Sequence, residues 1–148
     1  MGSTSERGKA RISHSLYELM QLSIEWVMRK LEAGEGFSAL MMSSHPQGKK
    51  ATKYSYDSVE EALEAAEREL AESLNDASAY AISYDAWFMD GDNKLPVIIC
   101  RAEEVGLGTQ VEFAFPYEFE MVGDAKKVKP RSRPRYLRQT DKALLGVK

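Results

Sequence analysis

The sequence predicts an α+β fold with a mostly antiparallel five-stranded sheet, two helices packed on one of its faces, and an extended basic tail. Two helix-type apolar repeats and five strand-type patterns predict elements in the order α-β-β-α-β-β-β. Consecutive strands joined by short loops pair antiparallel, and two helices need an apolar sheet face to cover. A length of 148 residues favours one domain. We therefore expect a disordered N-terminus over residues 1–13, a single α+β domain over residues 14–125 and the basic tail over residues 126–148.

Both helices are predicted from apolar residues that recur every three or four positions. The first covers residues 15–31 and ends before a glycine. The second follows Ser58, which forms a capping box with Glu61, and it ends near Asn75. Its apolar stripe is narrow and most of its other residues are acidic, so we expect this helix to lie on the surface.

Five strands are predicted from alternating residues or short apolar runs: residues 37–42, 51–56 and 80–88, a strand that begins at residue 95, and residues 111–120. The Asp-Gly turn at residues 90–93 joins the third and fourth strands as a hairpin. In the fifth strand aromatic residues alternate with mainly acidic ones. Pro116 has no backbone N–H, so its part of this strand should lie at a sheet edge or bulge.

The charge of the chain is unevenly distributed. Residues 1–125 carry 11 lysines and arginines against 22 acidic residues, whereas residues 126–148 carry 9 against one. Two prolines keep this basic segment extended. Its candidate contact residues for a protein or a nucleic acid are Lys126, Lys127, Lys129, Arg131, Arg133, Arg135, Tyr136 and Arg138. Such an arm can follow a phosphate backbone and stack Tyr136 on a base, or it can lie on an acidic protein surface. Because the rest of the chain is acidic, we favour the acidic surface of the same subunit or of a second copy.

No residue pattern predicts a catalytic, cofactor or metal site, and we expect none of these. The single cysteine, Cys100, follows an apolar run, where burial raises the pKa of a thiol and makes it unreactive. His14 and His45 are far apart in the sequence and have no zinc-type spacing. A small hydrolase or transferase would need a fold that gathers one histidine with Cys100 or with carboxylates around a pocket.

These observations favour a non-catalytic protein-interaction domain with an accessory, regulatory or inhibitor-like role, present as a homodimer. A nucleic-acid-binding accessory protein that uses the basic tail is one alternative, and a small hydrolase or transferase without a recognisable motif is the other. No apolar run approaches the roughly 18 residues of a membrane span. The first residues lack the apolar core of a signal peptide, and a lone cysteine suits a reducing compartment. We therefore expect no membrane partner and a cytoplasmic location.

Overall fold

The computed structural model describes residues 11–140 and 142–145. Residues 1–10 of the segment predicted to be disordered lie outside the described residues, as do residues 141 and 146–148 of the predicted tail. The fold is α+β with an antiparallel sheet. Its elements are α1 (His14–Ala33), β1 (Ala39–His45), β2 (Gly48–Tyr54), α2 (Val59–Glu72), β3 (Ala79–Asp90), β4 (Asn93–Glu104), β5 (Val111–Val122), β6 (Ala125–Pro130) and β7 (Arg135–Gln139).

Side-chain caps set the ends of both helices. The Ser13 hydroxyl accepts a hydrogen bond from the Leu16 N–H at the start of α1, and the Ser58 hydroxyl accepts one from the Glu61 N–H at the start of α2. Gly34 ends α1 in the left-handed region, at a φ of 72° that costs glycine least. Neither helix of the described chain is long and apolar enough to cross a membrane.

The predicted five-stranded sheet is wrong, because the described sheet has seven strands in the order β2-β1-β3-β4-β5-β6, with β7 paired to the first part of β5. The predicted element order therefore lacks its last two strands. Apart from Ala125, both lie in the segment of residues 126–148 predicted to be an extended basic tail, so residues 126–130 and 135–139 are strands of the sheet instead. Val128 is buried in the core, and Lys127 and Lys129 lie opposite Glu120 and Glu118 in the β5–β6 register. Such alternation, with opposite charges across the pair, stabilises a strand on a sheet.

The prediction that both helices pack on one sheet face is also wrong. The α1 core includes Leu40 and Ala81, whereas the α2 core includes Met41 and Ile82, which are the next residues along the same two strands. Because successive side chains of a strand point to opposite faces, the two helices lie on opposite faces of the sheet.

The sheet curls around α1. This helix contacts β1, β3, β4 and also β6, which lies at the far end of the sheet order from β2. A flat sheet cannot present strands so far apart to one helix, so the sheet forms a half-barrel with α1 on its concave face. α2 packs on the convex face mainly over β1, β2 and β3, and it reaches β4 through the ion pair between Glu67 and Arg101.

Candidate functional site

The predicted contact residues lie on β6, on β7 and on the loop of residues 131–134 between them. Two of them are held in ion pairs within the protein. Lys129 lies 3.3 Å from Glu120, and the Arg138 guanidinium donates a hydrogen bond of 2.9 Å to the Glu112 carboxylate. Both cations are thus partly neutralised before any partner arrives.

Aromatic contacts hold two more predicted contact residues. The Lys126 ammonium lies 4.1 Å from the centroid of the Phe119 ring, a cation–π geometry. The half-buried Tyr136 ring packs edge-on against Phe113, with 5.5 Å between the ring centroids. A ring packed in this way is poorly placed to stack on a nucleic-acid base, which argues against that role for Tyr136.

The other four predicted contact residues point their charge to solvent. Lys127 is exposed on β6. Arg131, Arg133 and Arg135 are exposed around the 131–134 loop, and none forms an ion pair with another described residue. The structure thus reduces the basic tail to a short arginine segment, residues 131–135.

The β3–β4 hairpin and the β5–β6 hairpin separate from each other beside the arginine segment. The β4–β5 pairing ends at Val97 and Pro116. The next pair would join Pro96 to Tyr117, and Pro96 has no N–H to donate. Beyond this point β4 pairs only with β3, and β5 pairs only with β6 on its other side.

A cavity of about 310 Å³ lies where the hairpins separate. We call it the inter-hairpin cleft. Its lining residues are Phe88, Met89, Asp90, Leu95, Val97, Pro116, Arg131, Ser132 and Arg135. The wall from β3 and β4 is apolar apart from Asp90, whereas the other wall carries two arginines.

Exposed apolar side chains cluster on the ends of the same two hairpins. Nine large apolar residues are exposed in the described part of the chain, and five of them form what we call the tip surface. They are Trp87, Met89, Phe119, Met121 and Val122. Tyr117 donates a hydrogen bond of 2.6 Å to Asp85, which shows that the concave sides of β3 and β5 face each other here. By strand alternation, Trp87, Met89, Phe119 and Met121 lie on that same concave side.

A second cavity, of about 360 Å³, lies between α1 and the strands β5 and β6. Ile24, Met28, Phe115 and Val128 line it with apolar surface. Among the described residues, the buried side-chain oxygen that lacks a hydrogen bond is Glu67 Oε2, which is not part of this lining. The lining of this cavity also includes the polar side chains of Gln21, Glu25, Arg29, Lys129 and Ser132.

Ser43, His45 and Asp76 form a chain of hydrogen bonds that resembles a hydrolase triad. The Ser43 hydroxyl lies 2.7 Å from His45 Nε2, and His45 Nδ1 lies 2.7 Å from Asp76 Oδ1. In a working triad the serine hydroxyl faces the substrate and the acid is buried. Here Ser43 is 0% exposed and the Asp76 side chain is 51% exposed. The serine is buried and the acid is exposed, the opposite of a working triad. The hydrogen bonds of Ser43, His45 and Asp76 therefore cross-link β1 to the loop before β3.

We expect Ser43 to remain unlabelled when the full-length protein is incubated with a fluorophosphonate probe, because its hydroxyl cannot meet the phosphorus atom. Mass spectrometry of the intact protein measures this, with a serine hydrolase as the positive control. A stoichiometric adduct that disappears in the variant Ser43→Ala would contradict the structural interpretation and restore the hydrolase alternative.

Neither Cys100 nor His14 contributes to a site. Cys100 is fully buried, and burial raises the pKa of its thiol to about 12, although a hydrogen bond with Ser83 acts in the opposite direction. His14 is exposed at the start of α1, 2.6 Å from the Glu18 carboxylate. Within residues 11–140 and 142–145, no group of three or more His, Cys, Asp or Glu residues could hold a metal ion.

No protein-family model, no curated protein and no solved structure matches this chain significantly. Function must therefore be inferred from the geometry of the chain itself.

Sequence reasoning missed most of the tip surface. The aromatic alternation of the fifth predicted strand includes Phe119, but Met121 and Val122 lie beyond the predicted end of that strand at residue 120. The turn at residues 122–125 was the available signal, since Gly-Asp between two alternating runs is typical of a hairpin.

Proposed function

We propose that this protein is a non-catalytic protein-interaction domain that binds its partner through the tip surface. The observation that carries the proposal is the position of Trp87, Met89, Phe119, Met121 and Val122 together at one end of the half-barrel. Trp87 is 60% exposed, and Met89 and Met121 are each 64% exposed. Single exposed apolar residues are ordinary, but a cluster of them marks an interaction surface.

The residue types at this end of the molecule support a protein partner. Aromatic residues, methionine and arginine are enriched in protein interfaces, and tryptophan and arginine supply many of their hot spots. The tip surface has the first two types, and the arginine segment at residues 131–135 lies beside it. A partner that covers both would bury apolar area and pair the free guanidinium groups.

A nucleic acid is supported less well. Binding to a phosphate backbone grows with the number of cations that neutralise phosphates. Of the basic tail residues, Lys129 and Arg138 are already paired with carboxylates, and Tyr136 is packed against Phe113. The exposed Trp87 and the two methionines also have no role along a phosphate backbone.

The first partner to test is a second copy of the chain, since a homodimer would bury the tip surface without any other protein. We propose such a homodimer, with an isologous contact in which the same patch is used on both subunits. Light scattering on the full chain measures it. A species of twice the chain mass that reverts to one chain in the variant Trp87→Ser/Met121→Ser would identify the second copy as the partner.

For a different partner, the measurement is binding of a purified interacting protein to the full chain and to two double variants. Trp87→Ser/Met121→Ser should weaken binding by about tenfold or more, because it removes two apolar anchors. Leu22→Ser/Tyr56→Ser is the matched control, since both residues are exposed apolar side chains away from the hairpin ends. Equal loss in the two double variants, or no loss in either, would contradict the proposal.

A further inference from the structure

We infer that the inter-hairpin cleft binds an extended segment of a partner protein as an added strand, with carboxylate and apolar side chains in alternation. This inference rests on the proposed function and names the chemistry of the partner. Its two independent supports are the strand edges that no other strand pairs with in the described sheet and two bordering arginines that form no ion pair with a described residue.

Both sides of the cleft are sheet edges. Residues 93–96 of β4 pair with β3 alone, and residues 117–122 of β5 pair with β6 alone. Since β6 lies on the side of β5 away from β4, the other edge of β5 faces the cleft. A sheet edge presents N–H and C=O groups to which an extended peptide can bind by strand addition.

The outer edges of the sheet are less suitable for this purpose. On β6, Val128 N–H already donates a hydrogen bond of 2.7 Å to Glu32 of α1, and Pro130 has no N–H. On β2, Lys49, Lys50 and Lys53 are exposed, and lysines on an edge strand oppose pairing. The edges at the cleft have neither a covering helix nor a row of lysines.

The chemistry on the two faces of the cleft predicts the pattern of the added strand. Arg135 lies on the convex face. It is opposite Ala114 in the β5–β7 register, Ala114 is opposite Ile99, and Ile99 is opposite Tyr84, which shares the convex face of β3 with Ile82. Arg131 lines the same cavity, and neither arginine has an ion pair with a described residue, while Asp90 supplies one opposing charge. Arginine binds carboxylates through two parallel hydrogen bonds.

On the concave face the added strand meets Trp87 and Phe119 instead. Because successive side chains of a strand point to opposite faces, one set of alternate residues would reach the arginines and the other would reach the tip surface. A segment that alternates acidic and apolar residues fits both faces. The cleft volume of about 310 Å³ suits side chains of such a segment rather than a large ligand.

The test uses the full-length protein and a fluorescein-labelled peptide of repeating Glu-Leu, as long as residues 117–122, with fluorescence polarisation as the readout. We expect binding that weakens about tenfold or more in Arg131→Glu/Arg135→Glu and stays unchanged in Lys49→Glu/Lys50→Glu, the matched control on β2. A repeating Lys-Leu peptide should bind the wild-type protein at least about tenfold more weakly. Thermal melting of each variant confirms that it is folded.

Hydrogen exchange distinguishes strand addition from simple attraction of charge. The Glu-Leu peptide should slow exchange of amides in residues 117–122 and leave those of β2 unchanged, because a new ladder protects the edge it joins. Unchanged exchange in residues 117–122 overturns the inference, and so does arginine-dependent binding of a labelled oligothymidine that competes with the peptide. If the peptide fails while a purified partner still requires Trp87 and Met121, the inference is wrong and the proposed function stands.

Discussion

Replacement of Glu103 by alanine is expected to lower the free energy of unfolding by about 3 kcal/mol, because it leaves several buried donors without an acceptor. Glu103 is only 1% exposed. Its carboxylate accepts a hydrogen bond of 2.9 Å from the Tyr80 hydroxyl and one of 2.8 Å from the Leu144 N–H. The Leu145 N–H lies 3.4 Å from the same group, so Glu103 holds the segment 142–145 against the sheet.

Equilibrium unfolding in urea measures the change. Glu120→Ala is the control, because this glutamate forms an exposed pair with Lys129 and should change stability by less than about 1 kcal/mol. Glu103→Gln keeps an acceptor oxygen, so its loss of unfolding free energy should lie between those of Glu103→Ala and Glu120→Ala. If Glu103→Ala destabilises the protein no more than Glu120→Ala does, the carboxylate does not anchor residues 142–145.

Replacement of Glu112 by glutamine is expected to lower the free energy of unfolding at neutral pH by about 2 to 3 kcal/mol. The Glu112 side chain is 6% exposed and accepts hydrogen bonds of 2.8 Å from Arg101 and 2.9 Å from Arg138. Arg101 is also an ion-pair partner of Glu67 on α2, at 3.5 Å, so the network ties α2 to the strands β4, β5 and β7. Glutamine removes the charge that both arginines face.

We expect the loss of stability in Glu112→Gln to depend on pH. Burial by itself raises the pKa of Glu112, but the hydrogen bond from Arg138 and the charge of Arg101 outweigh burial and place the pKa below the usual 4.5. A carboxyl whose pKa is lowered by folding contributes stability that is fully present above its unfolded pKa and is lost as the pH falls through its folded pKa. The stability difference between wild type and Glu112→Gln should therefore be constant near neutral pH and shrink below pH 4.5.

Urea unfolding at a series of pH values measures this difference, and Glu120→Gln is the exposed control. A difference that is the same at neutral and at acid pH would show that the ionised form of Glu112 does not stabilise the fold. A difference that grows on acidification would show that the arginines fail to lower its pKa.

Much of the secondary structure was readable in the sequence because its causes are local. The serine caps at Ser13 and Ser58 and the apolar spacing of α1 and α2 act within one or two turns of helix. The β3–β4 hairpin follows from the Asp-Gly pair at its turn. Pro116 lies where β5 changes partners, because its C=O accepts a hydrogen bond of 2.9 Å from the Arg131 N–H just beyond β6, whereas the missing donor of Pro96 is the one at the end of the β4–β5 pairing.

The candidate site was harder to predict because the charge and the two prolines of residues 126–148 predict an extended tail rather than strands. Lysines at alternate positions of β6 face away from the core while Val128 faces into it, and this pattern is that of a strand on a sheet. The composition of residues 126–148, read as a whole, hides that alternation. The charge balance favours an acidic surface of the same subunit or of a second copy as the partner of the tail, and in the described structure Lys129 pairs with Glu120 and Arg138 pairs with Glu112.

The sequence by itself determined the two helices, the antiparallel character of the sheet and the charge asymmetry, since these depend on residue spacing and composition. Only the tertiary structure decided that the helices lie on opposite faces, because both sheet faces are apolar over β1 and β3 and either can be covered. It also decided which basic residues stay unpaired, because an ion pair depends on partners far away in the chain. The separation of the two hairpins, which creates the cleft beside Arg131 and Arg135, follows from a register that joins residues distant in sequence.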